Sequence, residues 1–89
     1  MKIIEAAIRI GDSVWTGHRH HNIFRTIFEE TGKKAFEMVK ELGVAREEQG
    51  FVADTGEFVD RIEAAKIALE SGQIEKLNHP PNLYSEDFY

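Results

Sequence analysis

The chain has 89 residues, no cysteine, and 11 Lys and Arg against 16 Asp and Glu, for a formal net charge of −5. A chain this short is one domain and hides only roughly 60 to 65 % of its unfolded surface; with disulfides and Cys-ligated metal clusters excluded, oligomerisation is the remaining common source of stability. The charge excludes a general role on DNA or RNA, which needs excess cations to neutralise phosphates, but leaves a small anionic ligand open because salt screens distant charges within about 8 Å.

The opening MKIIEAAIRIGD is apolar but interrupted by Glu5 and Arg9, too short and too charged for a signal peptide or a membrane span, which predicts a cytoplasmic protein with no membrane partner. Within it Ile4, Ala6, Ile8 and Ile10 alternate with Glu5, Ala7 and Arg9 as a first strand, Gly11-Asp12 makes a tight turn, and Val14 and Trp15 continue into a second strand. Gly17 breaks that strand. A helix is predicted from about His20 to Thr31 with Ile23, Phe24, Ile27 and Phe28 on its apolar face, and a second from Lys34 to Leu42 with Phe36, Val39 and Leu42 inward; Gly32 and Gly43 end them. Val44 to Gln49 reads as a connection of undefined shape.

A second hairpin follows, with Phe51 and Val52 on one side of an Asp54-Thr55-Gly56 turn and Phe58 and Val59 on the other. Asp60 stands directly before a helical pattern with Glu63 three residues on, a pairing that satisfies backbone N–H groups reciprocally at a helix start. The helix so begun at Arg61 has Ile62, Ala65 and Leu69 as its apolar positions, widened by Ala64 and Ala68, and Gly72 to end it. Pro80-Pro81 forbids regular helix in the remaining KLNHPPNLYSEDFY, whose Leu83, Tyr84, Phe88 and Tyr89 are too apolar for free solvation. The predicted fold class is therefore α+β: a single small domain with two antiparallel β-hairpins and about three helices, residues 1–75 forming the body and 76–89 an extended tail docked on its own or a neighbouring subunit.

Two strand-to-helix corners carry the candidate chemistry. Thr16-Gly17-His18-Arg19-His20-His21 gathers three histidines and an arginine, but adjacent positions point in different directions and no zinc-type spacing is present. A helix N-terminus with Arg19 and His20 suits an anion better, because free N–H groups and the macrodipole already favour negative charge; the alternative is that His20 packs inward and the rest is solvated. At the second corner Phe51, beside Gly50, is placed either to stack a purine or to fill the core, since one of Phe51 and Phe58 must do so. Asp60 is fully explained as a cap. Arg61 is not, since a cation in the first helical turn opposes the macrodipole and needs a carboxylate or phosphate partner. No nucleophile elbow, phosphate-binding Gly-rich loop, Cys nucleophile or metal pattern is present, so binding without turnover, and without a cofactor, is the simpler expectation.

On the segments TGHRHHNI, QGFVADTGEFVDRIEAAKIALESGQI and LYSEDFY, the chain resembles the Thoeris anti-defence one family of phage cyclic-nucleotide sponges. The resemblance implies a protein that captures cyclic ADP-ribose isomers made by bacterial TIR-domain enzymes and sequesters them intact in the infected cell. It also implies homodimers that assemble into homohexamers, with a second kind of pocket for cyclic trinucleotides from cGAS-like enzymes. By that analogy Phe51 stacks on adenine, Asp60 takes a ribose or base contact, and an arginine, Arg19 or Arg61, meets the pyrophosphate. The tail's share would fall to Tyr84 and Asn82; Asn78, His79 and Asn82 stand where arginines would suit a phosphate better. A protein–protein inhibitor module using the aromatic tail and a small hydrolase using the histidines are the competing expectations.

Overall fold

The computed structural model describes residues 1–88; Tyr89, which closes the aromatic tail motif, lies outside the described residues. Eight apolar-rich residues form β1 (Ile3–Ile10), and the Gly11-Asp12 turn, with Gly11 at φ 61°, returns the chain as β2 (Ser13–Gly17). Helices α1 (His20–Thr31) and α2 (Ala35–Leu42) follow, each ended by a left-handed glycine, Gly32 or Gly43. Strands β3 (Glu48–Ala53) and β4 (Phe58–Asp60) form the second hairpin, α3 spans Arg61–Glu70, and a short 3-10 turn covers Ser85–Asp87. The four strands make one antiparallel sheet in the order β2-β1-β3-β4, so the two hairpins join through β1 and β3. This is the mixed α+β domain expected from the pattern.

One sheet face carries the core. Ala6, Ile8 and Ile10 of β1 and Phe51 of β3 cluster there with Ile23 and Ile27 of α1, Ala35 of α2 and the alanines of α3. The first strand's phase differs from simple alternation at its start: Ile3 is buried and Ile4 is 55 % exposed. A bulge is the cause. Ile3 pairs with Ala53 but Glu5 pairs with Val52, so Ile4 is the extra residue and the side chains before it change face.

The helices also turn differently from the expected stripes. In α1, Ile23 and Ile27 are buried and Phe28 is half exposed; in α2, Ala35 is buried while Phe36 and Leu42 are exposed. In α3 the inward stripe is Ala64, Ala65, Ile67 and Ala68, and Ile62 and Leu69 face out. Small alanine side chains let the α3 backbone lie close to the sheet, which the larger Ile62 and Leu69 would prevent. Arg61 lies one helical turn before Ala64 and Ala65, on the same stripe, and is drawn partly inward with it.

After α3 the chain folds back on its own body. Leu83 is fully buried, and its N–H donates to the Arg61 carbonyl at 3.0 Å. Asp87 accepts from the Tyr84 N–H at 2.8 Å and the Asn78 N–H at 3.2 Å, holding the 3-10 turn against the segment before the prolines. Gln73 clasps the first strand with its amide, accepting from the Ile3 N–H at 2.7 Å and donating to the Ile3 carbonyl at 2.8 Å.

Candidate functional site

The β3–β4 hairpin, the start of α3 and the tail frame an open cleft of about 930 Å³. Phe58, Asp60, Arg61 and Tyr84 line it, with Gln49, Arg9 and Arg46. Its local construction begins at Gly50. A Cβ there would stand 2.1 Å from the Val59 carbonyl oxygen and 2.8 Å from the tip of the Phe58 ring, so only glycine lets β4 and Phe58 come this close. Gly50 pairs with Asp60 and Val52 with Phe58, placing Phe58 on the sheet face away from the helices, where the Arg9 guanidinium lies over its ring at 4.5 Å. Arg9 is also bound to the Glu48 carboxylate, its partner in the strand register, so its charge is already answered.

Asp60 caps α3: its Oδ1 accepts from the Glu63 N–H at 2.8 Å. The reciprocal half of the expected capping box is absent among the described hydrogen bonds, with Asp60 instead paired in the sheet opposite Gly50. The other Asp60 oxygen has no described protein partner. Arg61 is half-buried, donates from Nη1 to the Leu83 carbonyl at 2.8 Å and from Nη2 to Gln49 Oε1 at 2.7 Å, and lies 4.4 Å above the Tyr84 ring. Burial lowers its pKa, opposed by Tyr84 and Glu86, yet a guanidinium keeps its proton in a protein. Among the described residues no carboxylate forms an ion pair with it.

Phe51 is elsewhere. It is only 1 % exposed, its ring meeting His20 edge-on at 5.2 Å and Phe88 at 6.2 Å, which corrects its expected placement as the stacking platform. The reason is register: Phe51 pairs with Ala6 and Val59 on the helix-covered face, leaving Phe58 for the open one. His20 is also buried, and since a carbonyl can only accept, its Nε2–H donates to the Gly50 oxygen at 2.8 Å. Burial pushes the His20 pKa down; the Gly50 hydrogen bond and Glu86 oppose this and Arg61 adds to it. That removes His20 from any anion site at the α1 N-terminus. Arg19 is the half-buried residue preceding α1, outside the cleft lining, and Asn82 sits in a tail turn with its N–H on the His79 carbonyl at 3.1 Å. Among the described residues no three His, Asp or Glu side chains converge for a metal ion.

Of the residues picked out from sequence, then, Asp60, Arg61 and Tyr84 meet at one cleft. Phe58, Arg9, Gln49 and Arg46 line it with them, as do the carboxylates of Glu47, Glu48 and Glu63. The pairing that would have exposed Arg9 and Phe58 as neighbours is the long-range β1–β3 register, for which the sequence carries no local signal. The class defined is a small α+β protein with a cleft at a sheet edge lined by arginines, carboxylates and two aromatic rings. The chain belongs to the phage T4 y16D protein family, whose profile matches residues 2–89. No curated protein and no solved structure matches it. Among the described residues no helix is long and apolar enough to cross a membrane.

Proposed function

We propose that this phage-family protein is a non-catalytic binding protein that captures a cyclic ADP-ribose isomer in the infected cell's cytoplasm and withholds it intact. The observation that carries this reading is Arg61: a partly desolvated guanidinium at a cleft wall whose described side-chain bonds go only to neutral oxygens. Such a cation gains most from an anion, and a phosphate fits its remaining N–H groups. The Tyr84 and Phe58 rings offer aromatic surface to an adenine, and the free oxygen of Asp60 can accept from a ribose hydroxyl. The cleft also holds Glu47, Glu48 and Glu63, which disfavours a polyphosphate chain and suits a ligand with few charges and many hydroxyl and amino donors. By the resemblance, cyclic trinucleotides are the second ligand class and the assembly is a homodimer or a homohexamer built from such dimers.

Incubating the protein with cyclic ADP-ribose isomers, removing it from solution and then heating it to release what it holds tests the reading. The expected outcome is depletion followed by return of unaltered ligand. Return of hydrolysed product would make it an enzyme, and no depletion of any isomer would favour the inhibitor module instead.

A further inference from the structure

Gln49 is out of pattern. In β3, Gln49, Phe51 and Ala53 point to the helix-covered face while Glu48, Gly50 and Val52 point away, and Phe51 and Ala53 are each 1 % exposed. Gln49, opposite the fully buried Ile8, is thus a carboxamide where the alternation calls for an apolar side chain. Burying such a group is costly unless both of its ends are answered. Its Oε1 accepts from Arg61 Nη2 at 2.7 Å, and since a guanidinium only donates, this bond fixes which end of the amide faces Arg61. The Nε2 amino group has no partner among the described hydrogen bonds. Since no sealed side-chain N or O among the described residues lacks a partner, that group opens on the cleft that Gln49 lines.

We propose that Gln49 determines the cleft's specificity for an anion: its oxygen positions Arg61 without neutralising it, and its Nε2 donates to the same oxyanion that Arg61 binds. A glutamate here would have the same length and would answer Arg61 with an ion pair, leaving a phosphate little to gain. Glutamate is not scarce nearby. Glu47 and Glu48 directly precede Gln49 and line the cleft with Glu63, yet Glu48 is bound to Arg9, and among the described residues none of them pairs with Arg61. The carboxamide also supplies donor hydrogens, which a carboxylate lacks. Arg61 is further held by its Nη1 on the Leu83 carbonyl at 2.8 Å and by the Tyr84 ring at 4.4 Å, so its remaining N–H groups and the Gln49 amino group make a fixed donor set in one corner of the cleft. The role rests on Arg61 as the proposed anion contact, not on which nucleotide carries the phosphate.

Side-chain NMR of the isotope-labelled full chain, titrated with inorganic phosphate and separately with cyclic ADP-ribose isomers, tests it. The Gln49 amino and Arg61 Nε–H signals should shift together and saturably. Gln49→Glu should melt no lower than the wild type yet bind either probe about ten- to a hundred-fold more weakly, because the Arg61 charge is then answered from within. Gln49→Met, which removes the donor but adds no charge, should lose only about two- to tenfold. A purely structural Gln49 would instead move melting temperature and affinity together. Where a variant fails to fold, the wild-type titration decides. A response of both signals to phosphate with no binding of any cyclic ADP-ribose isomer would remove the nucleotide reading and leave Gln49 in its role. An Arg61 signal that moves while the Gln49 signal stays, a folded Gln49→Glu variant that binds as the wild type does, or no response of either signal to any probe would overturn the proposal.

Discussion

The starts of α1 and α3 are built from similar pieces and end up doing different work. Each follows a strand directly or within two residues, and each carries a cationic or titratable side chain at its first helical position, His20 or Arg61. Both side chains turn inward, and both reach the same stretch of β3: His20 bonds the Gly50 carbonyl and Arg61 bonds Gln49. The difference is which side of that stretch they reach. His20 is sealed under Phe51 and Phe88, where burial pushes its pKa down, while Arg61 lies at the open edge between Tyr84 and Gln49 with no carboxylate ion-paired to it among the described residues. The lesson is that an anion site needs an unanswered cation at a solvent boundary, and a basic residue at a helix start becomes structural once its ring is covered.

The largest expected effect separates the buried side of this comparison from the open one. Phe51→Ala should cost about 3 to 5 kcal/mol in urea unfolding, the range for removing a buried phenylalanine, whereas Phe58→Ala should change stability far less and reduce ligand affinity instead. Equal destabilisation by the two would mean the sheet faces are assigned wrongly. Next in size, Tyr84→Ala should weaken ligand binding by about 1 to 3 kcal/mol, the worth of one base stack, with folding preserved by the buried Leu83 beside it. Binding that survives this change would move the stacking surface to Phe58 alone. Asp60→Ala removes the α3 cap and should lower stability by about 1 kcal/mol; a fall in affinity beyond that would show the carboxylate touching ligand as well.

The smallest effect is on the pH profile of the α1 corner. Because the folded state holds the His20 pKa below its ordinary value, the unfolded chain takes up that proton first as pH falls below about 6.5. Stability should therefore be full above that pH and decline as pH drops toward the folded-state value. His20→Gln, which keeps an N–H donor for the Gly50 carbonyl, should flatten that part of the profile. An unchanged slope in the variant would assign the acid sensitivity to other groups.

Much of the fold was legible because its signals are local. The Gly11-Asp12 turn, the stops at Gly32 and Gly43, the Asp60 cap and the left-handed Gly72 each act within a few residues, and each stands where the pattern puts it. What was not legible depends on partners far along the chain. The bulge at Ile4 exists only against Ala53 and Val52, and the Gln73 clasp on Ile3 joins residues 70 positions apart. Apolar size is no guide to which helix face is buried here; in α3 close approach to the sheet favours alanine over Ile62 and Leu69. The site was half legible for the same reason: Asp60 and Arg61 announce themselves at a helix start, but the choice between Phe51 and Phe58 was a matter of register.

Calorimetry tests Arg61 as the anion contact most directly: titrate cyclic ADP-ribose isomers into the wild type, Arg61→Gln and Arg19→Ala, each checked for folding by thermal melt. The expected result is saturable binding by the wild type and by Arg19→Ala, and a loss of about 1.5 to 3 kcal/mol, roughly ten- to a hundred-fold, in Arg61→Gln. Undiminished binding by a folded Arg61→Gln variant would show that Arg61 is not the anion contact.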